Sequence, residues 1–193
     1  MAEIKRSQRA DAQRNRERIL AAADAVFAAR GASVPTEEIA RAAGVGNGTL
    51  FRHFPTKTDL LEAVFVNRLR GLVDEAEQLQ HAGDPGAALS QFFIRIVEQS
   101  QTKNAFADAL AEVGVDVGTA TAEVGQELRD VLEVLLRRAQ QTGAVRQDLR
   151  VQDLISLIVG ASHAARHLAV DPPAQRRVIM VILDGLLPAS LPR

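Results

Sequence analysis

Cysteine, tryptophan and tyrosine are all absent from these 193 residues, and seven Phe carry the aromatic surface. Without Cys there is no disulfide framework and no thiolate metal site, a usage that fits a reducing cytosol. No uninterrupted apolar run of about 18 residues occurs, so no membrane span is expected. The start, MAEIKRSQRADAQRNRER, is basic and polar with no apolar h-region. No signal peptide is therefore expected, and the expected location is the cytoplasm. Alternation of β-branched and polar residues is nearly missing, which removes the signature of strands. No Ser–His–Asp, Cys–His, paired-carboxylate or phosphate-loop pattern appears, so neither an enzyme nor a cofactor is expected. Nor does one sign of charge dominate, since the formal net charge is −1. That balance is uneven along the chain. Met1 to Lys57 holds 10 Lys and Arg against 6 Asp and Glu, whereas Thr58 to Arg193 holds 13 against 18. A basic front on an acidic body places any attraction for phosphate at one end.

What is present is helical. Ala, Leu, Glu, Gln and Arg are abundant. Ile19, Leu20, Ala23, Val26 and Phe27 form one stripe between Arg16 and Arg30, and Gly31 stops it. Thr36 is expected to cap a short helix through about Ala43, with Glu37 and Glu38 in its first turn. A third helix is expected from about Asn47 to Phe54, before the break at Pro55. Thr56-Lys57-Thr58-Asp59 has the form of a capping box with Asp in place of Glu. Leu60, Leu61, Val64, Phe65, Leu69 and Leu72 then carry a stripe toward Gln80, ahead of the turn Ala82-Gly83-Asp84-Pro85-Gly86. Further helices are expected around Leu89–Val97, Ala105–Val113, Ala122–Gln141, Val151–Leu168 and Pro173–Leu187, with a looser segment at Gly114–Thr121. The expected fold is all-α with about nine helices. A first domain with the basic arm would occupy residues 1–57, and a larger helical domain residues 58–193.

The segment TEEIARAAGVGNGTLFRHFPTK, Thr36 to Lys57, has the layout of a helix-turn-helix. Ala40 is small enough for two helices to cross closely, and Gly44 supplies the left-handed backbone of a sharp turn. Val45 plugs the angle, while Ile39, Leu50 and Phe54 face inward. Asn47, Gly48, Thr49, Phe51, Arg52 and His53 are left facing outward or to the flanks. Gly48 permits close approach of a phosphate backbone. Thr49 suits a phosphate or a thymine methyl, and Arg52 a guanine edge or a phosphate. Lys57 adds its charge at a helix N-terminus suited to phosphate. A solvated polar face is the plainer reading, but it leaves the outward Phe51 without a reason. Upstream, Lys5, Arg6, Arg9, Arg14 and Arg16 form a basic arm, either a DNA contact or a solubilising tail.

These residues resemble the tetracycline-repressor (TetR) family of transcription regulators. The resemblance rests on Arg18-Ile19-Leu20-Ala21-Ala22-Ala23, Phe27, Gly31, Thr36, Ile39-Ala40, Ala43-Gly44-Val45, Gly48-Thr49-Leu50-Phe51, His53-Phe54, Lys57 and Leu60-Leu61. It covers about the first third of the chain. Two positions depart from the family's habit: Gly46 stands where Ser or another capping residue is common, and Phe51 where Tyr is usual. The resemblance implies that Thr36, Thr49, Phe51, His53 and Lys57 position the DNA backbone, with Asn47, Gly48 and Arg52 nearer the bases. It also implies a dimer on double-stranded operator DNA, released by a small-molecule effector. A repressor, an activator and a ligand-dependent corepressor are not separated by sequence. A helical ligand carrier or partner-binding protein is the alternative of a different class.

A single helix-turn-helix makes few base contacts, so a symmetric dimer with half-sites about 34–36 Å apart is the usual solution. Gly160, Ala161, Ala164 and Ala165 allow close helix approach. Val178, Val181, Ile182, Leu183, Leu186 and Leu187 make the final helix apolar around more of its girth than one core needs. A homodimer through the last two helices is expected. Phe65, Leu69, Phe92, Phe93, Ile96, Phe106, Leu110, Val131 and Leu135 are core or the lining of an effector pocket. Polar anchors would come from Gln99, Glu112, Arg129, His163 and His167. The i, i+4 pair His163 and His167 shares a helix face, but a position at the interface or its rim outweighs a metal site; no metal is expected.

Overall fold

The computed structural model describes residues 2–168 and 171–188, with side chains from residue 10 onward except 101–104. Among the described residues there are nine α-helices and no strand. They are α1 (Ala2–Arg30), α2 (Thr36–Ala42), α3 (Asn47–His53), α4 (Lys57–Leu79), α5 (Pro85–Glu112), α6 (Val117–Ala120), α7 (Ala122–Gln141), α8 (Val151–His167) and α9 (Pro172–Gly185). The chain forms two compact units that divide after Arg68, Asn104 and Ala120. The first holds α1 to α3, the first half of α4, the end of α5 and α6. The second holds the rest of α4 and α5 together with α7, α8 and α9. The boundary expected at Lys57 falls inside the first unit.

In the first unit Ile19, Ala23 and Phe27 of α1, Ile39 of α2, Leu50 of α3 and Leu60 and Val64 of α4 are buried, and α1, α2 and α3 pack on one another. Each such side chain removed from water contributes roughly 1.5–3 kcal/mol. The end of α5 joins this core through Phe106, whose ring meets Phe27 edge-on with centroids 5.9 Å apart. Arg68 of α4 lies 4.8 Å over the Phe106 ring while its Nε donates to Asp24 of α1. One side chain thus ties three helices by charge and by ring contact. In the second unit Leu89, Phe92, Phe93, Leu135 and Leu154 are almost wholly buried, α7 packs on α8, and α8 packs on α9.

Three boundaries differ from expectation, each for a physical reason. α1 begins at Ala2 rather than near Arg16, so the basic arm is part of the helix and not a lead-in. Its apolar stripe is short, but nothing before Gly31 breaks a helix, and polar partners such as Gln13 and Glu17 (2.7 Å) support its outer turns. The side chains of Lys5, Arg6 and Arg9 lie outside the described residues. α5 runs unbroken through residues 98–104, where two helices were expected; EQSQTKN is polar but contains neither Gly nor Pro. At α2 the cap position is Pro35, in extended backbone, and Thr36 is the first helical residue and nearly buried.

Candidate nucleic-acid interface

The turn between α2 and α3 is a complete Schellman motif. Gly44 has φ +64°, its N–H donates to Arg41 O at 3.1 Å, and Val45 N–H donates to Ala40 O at 3.0 Å. Ala40 is buried beneath it, as a close crossing requires. α3 then starts from Gly46, whose carbonyl accepts from Thr49 N (2.9 Å) and Leu50 N (3.1 Å). Gly46 offers no side-chain cap, so the first amides of α3 keep their free donors. Leu50 and Phe54 are buried four residues apart and anchor the helix from behind.

That anchoring decides what α3 turns outward. Asn47, Gly48, Phe51 and Arg52 are exposed; Thr49 and His53 are half-buried on the flanks. Phe51 is 41% exposed, a large apolar ring left partly in water. After Pro55 the capping box forms in both directions: Thr56 N donates to Asp59 Oδ2 at 2.8 Å and Asp59 N to Thr56 Oγ1 at 3.0 Å. It fixes the N-terminus of α4, where Lys57 is half-buried. The site residues proposed from sequence therefore lie along α3 and the start of α4, except Thr36, which sits at the start of α2.

Two arginines of α1, one expected in the basic arm and one among the residues of the resemblance, make contacts that the sequence reading did not assign. Arg16 lies 5.2 Å over the Phe54 ring. Arg18 reaches the turn, its Nη2 donating to Ala43 O at 2.6 Å and to Gly44 O at 2.8 Å, and its Nε to Ala43 O at 3.2 Å. Helical periodicity marks both as outward and polar, and nothing in their spacing says which backbone they meet.

Comparison with known proteins agrees with this geometry. Residues 19–64 match the model for bacterial regulatory proteins of the tetR family, and residues 84–188 that for the C-terminal domain of SbtR-like transcriptional regulators. The TetR transcription regulatory protein of Mycobacterium vanbaalenii is 40% identical, over 93% of this chain and 99% of its own, with a TM-score of 0.78. The chain belongs to the TetR family. The TetR transcriptional regulator SCO0520 of Streptomyces coelicolor is 33% identical over 91% of this chain and 99% of its own, with a TM-score of 0.74. The HTH-type transcriptional regulator SrpR of Pseudomonas putida is 29% identical over 161 residues, 78% of this chain and 73% of that protein. This TetR-family protein is a DNA-binding transcription regulator. Regulators of the family bind operator DNA as dimers and respond to small-molecule ligands. Among the described residues no helix is long and apolar enough to cross a membrane.

The residues suggested for an effector pocket are dispersed in this TetR-family chain. Phe65, Phe106 and Leu110 belong to the first unit, and Leu69, Phe92, Phe93 and Ile96 to the second; all are buried. Arg129 is half-buried on α7, and its Nε is buried with no hydrogen-bond partner among the described residues. His163 and His167 are exposed on α8.

Proposed function

We propose that this TetR-family regulator is a dimeric repressor released from its operator by a small molecule. The observation that carries the DNA half of this reading is the exposed row Asn47, Gly48, Phe51 and Arg52, backed by the buried Leu50 and Phe54. A helix so anchored presents fixed side chains to a major groove. Arg52 is the base reader. Thr49, His53 and Lys57 serve in this reading as backbone contacts, with Thr36 at the start of α2 as a further one. Phe51, lacking the hydroxyl of the usual Tyr, contributes an apolar contact.

The dimer half rests on α8 and α9. Val159 of α8 and Met180 and Val181 of α9 are 50%, 47% and 71% exposed, large apolar side chains that a partner surface would cover. On α9 these side chains are flanked by exposed Arg177 and Asp184, seven residues apart and equidistant from the midpoint between Met180 and Val181. Two copies of α9 crossing antiparallel about that midpoint bring each Arg177 to the other copy's Asp184, as an isologous contact demands. The effector half rests on the family's responsiveness. Within the second unit, Leu69, Phe92, Phe93 and Ile96 make its proposed setting aliphatic and phenyl, with Arg129, His163 and His167 as the polar candidates.

A gel-shift titration against the DNA upstream of the protein's own gene tests the reading. Binding weakened by about 1–3 kcal/mol in Arg52→Ala supports it; undiminished binding assigns DNA contact to another face.

A further inference from the structure

We infer that Arg18 is a positioning residue for DNA recognition: from α1 it clamps the turn between α2 and α3 and so sets where α3 meets the groove. The Schellman bonds use the carbonyls of Ala40 and Arg41, and the carbonyls of Ala43 and Gly44 are left over at the C-terminal end of α2. Arg18 takes both with three hydrogen bonds of 2.6, 2.8 and 3.2 Å. A planar fork of N–H donors suits two adjacent carbonyls, and a cation at the negative end of a helix is favoured further. An ammonium on a flexible stem supplies the charge but not the fork.

The base of the clamp is rigid. Arg18 precedes Ile19 and Leu20, which are 0% and 5% exposed in the core, so its backbone cannot drift without disturbing the bundle. The far end is close to what it must hold, since α3 begins at Asn47, three residues after Gly44. Gly44 is part of the same device. A Cβ built there would meet Arg18 Nη2 at 3.1 Å, so a side chain would both oppose the left-handed backbone and crowd the guanidinium. Nε and Nη2 are committed to the turn carbonyls, while Nη1 lies 3.5 Å from Asn15 Oδ1. The effect of Arg18 on DNA runs through the register of α3.

The inference rests on α3 as the reading helix, and the test separates the two. The probes are a duplex selected by the wild-type protein from a random library and a scrambled duplex of equal length, each titrated across salt. Arg18→Lys is expected to lower the ratio of selected to scrambled affinity about tenfold or more, because misplacing α3 costs base contacts. Binding to the scrambled duplex and the salt slope should stay near wild type. In the wild-type protein, the amides of Gly44 and Val45 should exchange more slowly than in Arg18→Lys, with or without DNA. An unchanged ratio in Arg18→Lys overturns the role. So does an Arg18→Gln variant that loses both duplexes equally with a shallower salt slope, which marks a direct phosphate contact. Arg52→Ala is the control: if it leaves the ratio intact, α3 is not the reader, whatever Arg18→Lys does. Should Arg18→Lys fail to fold, the wild-type Arg18 Nε–H signal decides. Protection from exchange in free protein, unaltered by DNA, supports the clamp; a signal protected only on binding overturns it.

Discussion

The residues of α3 divide into those that hold the helix and those that read, and substitution should separate them. Arg52→Ala should reduce discrimination by about 1–3 kcal/mol at one base position while leaving thermal stability near wild type, measured by competition among single-base variants of the operator. Lys57→Ala should weaken all sequences alike and flatten the plot of log K against log salt by about one phosphate's share. Leu50, wholly buried, belongs to the other class: Leu50→Ala should destabilise the fold by about 2–5 kcal/mol, seen as a lowered midpoint in urea. At this scale the inward residues were legible from spacing alone, because a four-residue repeat of Leu50 and Phe54 admits one buried face. Arg16 and Arg18 were not, because a surface arginine carries no mark in sequence of the carbonyl or ring it meets after the chain has folded.

Among elements, the α2–α3 turn has the sharpest requirement. Gly44 at φ +64° makes Gly44→Ala strained by roughly 1–2 kcal/mol, before any crowding of Arg18. A matched loss of melting temperature and operator affinity is expected, and retention of both would show that the turn tolerates a side chain. The turn and the capping box at Thr56 were legible because glycine and paired Thr and Asp have local chemistry. The extents of α1 and α5 were not. Helix ends were inferred from where the apolar stripe faded, yet polar turns without Gly or Pro remain helical when one end is held by packing. α5 is the more consequential case. Its continuity puts Phe106 in the first unit on the same helix that carries Phe92 and Phe93 in the second.

At the scale of the molecule, two matched charges make the proposed dimer testable. Arg177→Glu and Asp184→Arg should each weaken association, and the double variant should restore it, with sedimentation equilibrium as the readout. Equal behaviour of all three would place the interface elsewhere. The all-α architecture was readable from composition and periodicity; two parts were expected with a boundary at Lys57, whereas the units divide where α4 and α5 change company, which no linker marks. Phe51 has one further use at this scale. The chain holds neither Trp nor Tyr, so the protein is optically silent where indole emits. Phe51→Trp would place a single fluorophore, partly exposed to water, on the outward row of α3. Its emission would then report only what happens at that row, and a shift on adding operator would time the docking of α3 without a label on the DNA.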